Sequence, residues 1–388
     1  MKISFWISIV IIFYTFFGYG IVLFTLVKLR NLFFGKRKFP RNNGIWPTLT
    51  VVVAAYNEER FIEDKIKNTL ALQYPEDRIN YVFITDGSTD RTPEIISHYS
   101  EIRLLHLPKR NGKIAAIHRA MKEVTTEIVV FTDANTFLNH NALLNICRHY
   151  QDPSVGAVAG EKKVHIEQKA NATAGEGFYW KYESKLKAWD SELYTTVGAA
   201  GELFSIRKKL YDPVKPDTVL DDFMISMLIA KKGYRIAYEP AAYAIENGSE
   251  NIAEELKRKI RIAAGGIQSI LRLKALLNPF RYPLLSFQYV SHRVLRWTIT
   301  PFLMILALLQ NVLLAYSTHE TLYKTLLMLQ LMFYTSSLTG WLLEKKELRI
   351  KLLFIPYYFV MMNYAVVAGI QRFCFKGQSA VWEKAKRK

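Results

Sequence analysis

The chain has 388 residues, half of them hydrophobic, and a formal net charge of +18. That length holds one large domain plus additional segments, and the charge narrows the partners to nucleic acid, anionic lipid or phosphorylated small molecules. Cys147 and Cys374 are the only cysteines, too few for a disulfide framework and suited to a reducing compartment.

Residues 3–27 carry no charged side chain, are rich in Ile, Phe and Val, and are long enough to cross a bilayer. A cleaved signal peptide is the alternative, but its apolar core is shorter and a small-residue cleavage site follows it. Here the run leads into Lys28, Arg30, Lys36, Arg37, Lys38 and Arg41. Residues 1–27 therefore read as a retained anchor and 28–44 as a basic juxtamembrane linker. The linker's charge places the next domain on the cytoplasmic side.

Residues 45–275 alternate strand and helix signals. The apolar run Thr50–Ala55 ends in Tyr56, Asn57 and Glu58. Glu58 to Leu72 then reads as a helix, capped by Asn57 in one reading. A second run, Tyr81–Thr85, ends in Asp86. A short helix from Thr92, a strand over Ile102–Leu107 and a helix over Lys113–Val124 follow. The run Glu127–Thr132 ends in Asp133–Ala134–Asn135, and Val155–Ala159 reads as a further strand. This alternation predicts an α/β, Rossmann-like domain with a mostly parallel sheet. Ligands of such sheets sit outside the carboxyl ends of the strands. The acidic tips therefore converge on one crevice, where they suit a nucleotide, its ribose and a hard divalent cation. A helix from Asp222 to Lys232 stops at Gly233, a favourable C-cap.

Residues 276–297 mix aromatics with Arg281, His292, Arg293 and Arg296, the pattern of an amphipathic helix lying on a membrane surface. Residues 298–372 hold three apolar stretches near spanning length, at 298–316, 322–343 and 352–372. Residues 373–388 form a basic tail with Lys376, Lys384, Lys386, Arg387 and Lys388. Three spans after a cytoplasmic domain put that tail outside, whereas its charge belongs inside. One stretch being re-entrant or interfacial removes the conflict.

Four segments resemble, in order, the motifs of family-2 inverting glycosyltransferases: Ala55–Glu59, Asp86–Asp90, Asn111–Gly112–Lys113 and Asp133–Asn135. The anchor and apolar tail are similar to those of the membrane-integrated members, among them hyaluronan, chitin, poly-N-acetylglucosamine and cellulose synthases. The resemblance runs from about Thr50 to Gly266 and implies a nucleotide-diphospho-sugar transferase domain. By resemblance, Tyr56, Asn57 and Glu58 frame the base, Asp86 meets the uracil or ribose, and Lys113 lies near the nucleotide. Asp133 and Asn135 stand at the position that holds Mg2+ or Mn2+. Gly198 and Gly201 flank an acceptor loop, where glycine admits close approach. Asp221 and Asp222 stand at the catalytic acidic pair, Asp222 as general base, kept ionised by its helix N-terminus. Arg258 and Arg261 keep the spacing of a polar pair that holds the departing diphosphate, a task that suits Arg; a basic helix face on anionic lipid is the alternative. Ile262 stands where processive members carry Trp.

The implied activity is that of an integral plasma-membrane enzyme. It moves a sugar from a UDP-sugar to a glycan or lipid-linked acceptor hydroxyl with a β-glycosidic product, as in polysaccharide synthesis. Transfer of one sugar to a lipid, and a non-catalytic nucleotide-binding component, are the alternatives. An oligomer or partner subunit fits the few spans. The basic residues concentrate beside apolar segments and no nucleic-acid motif is present, so nucleic acid is not an expected partner.

Overall fold

The computed structural model describes residues 1–37, 44, 46–165, 173–247, 252–318, 320–346, 348 and 350–375. Lys38, Arg41 and the basic residues from Lys376 onward, on which the linker and tail readings rest in part, lie outside the described residues. The first helix, α1 (Lys2–Phe34), is 33 residues long and outruns the expected anchor. A π turn at Tyr14–Gly18 interrupts it.

Eight strands form one sheet: β1 (Leu49–Ala55), β2 (Ile79–Asp86), β3 (Ile102–Leu107), β4 (Ile128–Asp133), β5 (Thr136–Leu138), β6 (Val155–His165), β7 (Phe204–Arg207) and β8 (Arg235–Asn247). Their order is β3-β2-β1-β4-β7-β6-β8-β5. β1 to β4 run parallel. β7 enters antiparallel between β4 and β6, and β8 pairs parallel with β6. The sheet is mixed and mostly parallel.

Seven helices accompany it: α2 (Ile62–Leu70), α3 (Thr92–Ser97), α4 (Lys113–Glu123), α5 (Ala142–Cys147), α6 (Thr173–Leu193), α7 (Asp221–Lys231) and α8 (Ile252–Arg272). Both faces of the sheet are covered. Val51 and Val53 pack with Ile66, Phe83 and Val130, while Val52 packs with Ile84, Ile117 and Phe131. That is why the parallel strands are continuous apolar runs instead of alternating ones. The chain turns opposite ways after β1 and β4, so their carboxyl ends open a crevice at the centre of the parallel half.

Beyond α8, α9 (Pro283–Tyr289) continues through a π turn, Val290–Val294, into Leu295–Trp297. Three apolar helices follow: α10 (Thr300–Ser317), α11 (Thr321–Glu344) and α12 (Lys351–Phe375). With α1 they are the four described helices long and apolar enough to cross a membrane.

Of the basic residues expected to meet lipid headgroups in 276–297, Arg281 is exposed, whereas His292, Arg293 and Arg296 turn inward. His292, with no exposed surface, sits 2.6 Å from Asp190 and 3.1 Å from Glu183. Arg293 and Arg296 reach Glu183 at 2.7 and 3.0 Å. The Tyr19 hydroxyl of α1 donates to Asp190. Both acids lie on α6, which no sequence signal had resolved. Buried charges need fixed partners, and α6 supplies them.

Candidate active site

The loops after β1 and β2 are stitched to each other. Asn57 has a positive φ of 53°. Its Oδ1 accepts from the Thr89 amide at 2.8 Å, and its own amide donates to Ser88 Oγ at 3.2 Å. The Glu58 amide donates to Thr92 Oγ1 at 2.8 Å and the Glu59 amide to Asp90 Oδ2 at 3.1 Å. Asn57 therefore does not cap the following helix. α2 starts only at Ile62, because the intervening residues serve the β2 loop.

Ala55, Tyr56, Asp86, Arg110, Gly112 and Lys113 line a small cleft at these strand ends. The Arg110 guanidinium lies 3.9 Å over the Tyr56 ring centroid. Asp86 Oδ2 accepts from the amides of Asn111 and Gly112 at 2.7 and 2.6 Å, and Arg119 approaches Oδ1 at 3.4 Å. Asp86 thus shapes the turn that launches α4 as well as lining the cleft. The sequence singled out neither Arg110 nor Arg119. Arg110 directly precedes Asn111–Gly112–Lys113, a signal that was there to read; Arg119 had none.

The acids converge one step deeper. Lys113 Nζ stands 3.0 Å from Asp133 Oδ1 and 3.5 Å from Asp221 Oδ2. A Cβ placed on Gly201 would lie 3.3 Å from Asp222 Oδ2 and 3.6 Å from Lys113 Nζ. Only a glycine leaves the space above Asp222 open. Gly198 faces elsewhere, with a φ of 82° and the Phe223 ring against it. Lys113, expected beside the nucleotide, also bridges the acids of two motifs far apart in sequence.

Burial opposes the charge on Lys113, yet Asp133, Asp221 and Asp222 outweigh it and hold the ammonium above its ordinary pKa. Burial and then the Asp221 carboxylate push Asp222 up to about 7, against Lys113. The helix N-terminus was expected to keep Asp222 ionised. Desolvation and a like charge win, because a terminal dipole contributes only about 0.3–1 kcal/mol at an exposed site and up to about 2 kcal/mol in a partly buried one, whereas burial alone shifts a carboxyl by as much as about 3–5 pKa units.

Asp133 and Asn135 fit a hard cation by their chemistry. Asn135 Oδ1 is buried with no hydrogen-bond partner among the described residues, so a carbonyl oxygen is available beside a carboxylate. Among the described residues no three His, Cys, Asp or Glu side chains gather as ligands. Mg2+ takes only one or two carboxylates and completes its shell with phosphate and water. The arginines of α8 divide. Arg258 is bound to Glu255 through two hydrogen bonds of 3.1 Å. Arg261 has neither hydrogen bond nor ion pair among the described residues, and the charges acting on it include Asp221, Asp133 and Asp222.

Behind Asp133 lies a residue the sequence reading passed over. Lys65 of α2 has no exposed surface. Its ammonium donates to Thr132 Oγ1 at 3.0 Å and the Thr136 carbonyl at 2.7 Å. Thr132 Oγ1 in turn donates to the Glu202 carbonyl at 2.9 Å. This knot ties the Asp133–Asn135 tip to the end of the Gly198–Glu202 loop. Burial pushes Lys65 down to about 7.

Comparison with known proteins agrees with this geometry. Residues 50–214 match the model of glycosyl transferase family 2. Poly-beta-1,6-N-acetyl-D-glucosamine synthase of Staphylococcus aureus is 29% identical over 245 residues, 61% of this chain and 59% of that protein. The Staphylococcus epidermidis protein of the same name is 28% identical over 58% of this chain and 56% of its own length. The match thus spans well under two thirds of these relatives. A mannosyltransferase from Pyrobaculum calidifontis, solved in complex with GDP-Man and Mn2+, shares the fold with a TM-score of 0.73 at 23% identity, over 97% of this chain and 100% of that one.

Proposed function

We propose that the chain is a membrane-bound family-2 glycosyltransferase that inverts the anomeric centre of a nucleotide-sugar donor. The observation that carries this reading is the gathering of Asp133, Asp221, Asp222 and Lys113 beneath Gly201, outside the carboxyl ends of a nucleotide-binding type of sheet. The family match over residues 50–214 supports it. The donor is a UDP-sugar. N-acetylglucosamine is its first candidate sugar, since the relatives are named for a polymer of that sugar.

The donor's base and ribose occupy the cleft of Tyr56, Asp86 and Arg110, with Asn57 and Glu58 holding its rim. Asp133 and Asn135 hold a divalent cation, Mg2+ or Mn2+. When bound, that cation neutralises charge on the diphosphate. Arg261 adds a guanidinium suited to phosphate oxygens, while Arg258 acts through its tie to Glu255. The acceptor hydroxyl enters over Gly201 toward Asp222. Asp222 takes its proton as the oxygen bonds to C1, and the C1–O bond to UDP breaks in the same displacement. An α-linked donor yields a β-glycoside. A base whose pKa lies near neutrality suits this step.

Ile262 favours a second reading, transfer of a single sugar to a lipid acceptor. The catalytic domain faces the cytoplasm in both.

The test is UDP release by the purified protein in nanodiscs, with a panel of UDP-sugars and Mg2+ or Mn2+. Release with one donor, lost in Asp222→Asn and Asp133→Ala, is expected, and product length then separates polymer from single addition. Undiminished release from Asp222→Asn would remove that residue from the base role. Absence of UDP binding would overturn the whole reading.

A further inference from the structure

We infer that α12 is not a fourth span but lies in the plane of the membrane surface, between the catalytic domain and the spanning helices, so that the chain after Phe375 emerges on the catalytic side. By length and apolarity α12 qualifies as a span. Its neighbours place it otherwise.

Depth is set by α1. Ser4 accepts from Gln310, and Thr15 meets Thr300 at 3.1 Å, so α1 and α10 run antiparallel and Ile299 to Phe302 lie level with Thr15 and Phe16. Phe5 packs on Tyr323 with ring centroids 5.8 Å apart, so α11 starts at the far end and returns. The catalytic domain begins at the level of Phe16: Tyr182 of α6 donates to the Phe16 carbonyl at 2.9 Å.

About a third of the way along α12, Phe359 stacks edge-on against Phe16 at 4.7 Å and meets Phe333 of α11 at 5.8 Å. Toward the other end, Ile370 shares a groove with Ile299 and with Phe302, Leu303 and Leu306 in the first two turns of α10. Both points lie at the depth of Thr15 and Phe16. Eleven residues of helix cover about 17 Å, and a spanning helix would turn most of that into depth. Here it is spent along the surface.

The face below α12 makes the same point. α8 runs beside it throughout: Phe354, Tyr357, Tyr358 and Met361 pack with Ile252 and Leu256. Gly369 abuts Ala263 so closely that a Cβ there would lie 2.6 Å from that side chain and 2.9 Å from the Ile260 carbonyl. If α12 crossed the bilayer, α8 would accompany it and carry Glu254, Glu255, Lys257, Arg258, Lys259 and Arg261 into the hydrocarbon, at about 2.5–3.5 kcal/mol for each such charge at the midplane. The composition of α12 suits a surface position, with Tyr357, Tyr358 and Tyr364 and with Asn363, Gln371 and Arg372 along its length.

Charge placement becomes consistent throughout. α1, α10 and α11 span. Lys28 and Arg30 near the end of α1, Lys36 and Arg37 beyond it, and Lys345, Lys346 and Lys351 after α11 fall on the catalytic side, the side to which the inference also assigns the basic tail. The short connection after Ser317 falls on the other.

The native chain supplies the test. Cys374 is exposed and Cys147 is buried, so a membrane-impermeant maleimide reports on Cys374 in the folded protein. Labelling is compared between right-side-out and inverted membrane vesicles. In a Cys374→Ser background, Lys346→Cys marks the catalytic side, Ser317→Cys the opposite side, and Ser379→Cys reads the tail itself. Cys374 and Ser379→Cys are expected to label with the sidedness of Lys346→Cys and to lose all labelling from the side of Ser317→Cys. Labelling of Ser379→Cys from the Ser317→Cys side makes α12 a span and overturns the inference. The readout needs no turnover, so it stands whatever donor the enzyme uses.

Discussion

At the scale of single residues, burial moves Asp222 and Lys65 alike toward their neutral forms. Asp222 is pushed up to about 7 by burial and Asp221. A base must be ionised, so kcat/KM is expected to rise with pH through about 7 and level off above it; a profile flat from pH 5 to 9 would argue against Asp222. Asp222→Asn removes the carboxylate proposed as the base and is expected to lower turnover by about 10^2–10^4-fold, the usual worth of general-base catalysis, with UDP affinity kept in a calorimetric titration. Lys65 runs the other way: its folded pKa is about 7, below the ordinary 10.5. Between those values the unfolded chain binds more protons, so the stability cost of Lys65 is full below pH 7 and fades toward pH 10.5. Lys65→Met is therefore expected to raise the unfolding midpoint at pH 7, by about 2–4 °C for each kcal/mol recovered, and to gain less at pH 10. The ammonium lies behind the Asp133 tip and is kept there despite this cost. That is the pattern of a functional position.

At the scale of elements, the parallel half of the sheet was legible because strands covered on both faces are written as unbroken apolar runs. β1, β2, β3 and β4 each ended within a residue or two of the expected tip. β5, β7 and β8 were not read. They pair with partners distant in sequence, and β5 and β7, three and four residues long, carry too few residues for a period to appear. The Asn57 segment misled because an acidic first turn after an Asn is the signature of a helix start, whereas its side chain was already committed to Thr89. Helix contact also decides at Gly369. Gly369→Val forces its side chain into the Ala263 side chain and the Ile260 carbonyl and is expected to cost about 1–3 kcal/mol by overpacking, seen as a lower unfolding midpoint in detergent. An unchanged midpoint would mean that α12 and α8 are not held as tightly as described.

At the scale of the whole molecule, the joint between the membrane helices and the catalytic domain is a buried cluster of charges. Glu183 meets His292, Arg293 and Arg296, and Asp190 meets His292 and Tyr19. Thus α1, α6 and α9 are fixed to one another by one set of ion pairs. Burial opposes the charge on Glu183, yet its three basic neighbours hold it well below the usual carboxylate range. Glu183→Gln leaves those cations without their counter-charge and is expected to cost about 3–5 kcal/mol. The check is thermal unfolding in detergent, where Glu183→Gln should melt well below the parent chain; equal midpoints would make the cluster dispensable.

The order of the parallel strands' acidic tips, the apolar stretches and the basic segments beside them could be read directly from the chain. Each of these is a local property: a run of side chains and the residue that ends it. The chain also carried Asp133, Asp221 and Asp222 as candidates, since acids at strand ends and at a helix start stand out against their neighbours. Folding in three dimensions was needed to show that Lys113 joins Asp133 to Asp221, that Gly201 opens the space above Asp222, and that Arg261 and not Arg258 is left unpaired among the described residues. It alone turned His292, Arg293 and Arg296 inward and laid α12 along α8. The physical reason is common to all of these. An ion pair, a close approach and a helix's depth depend on what lies opposite in space, and for a group 100 residues away along the chain no local pattern records that.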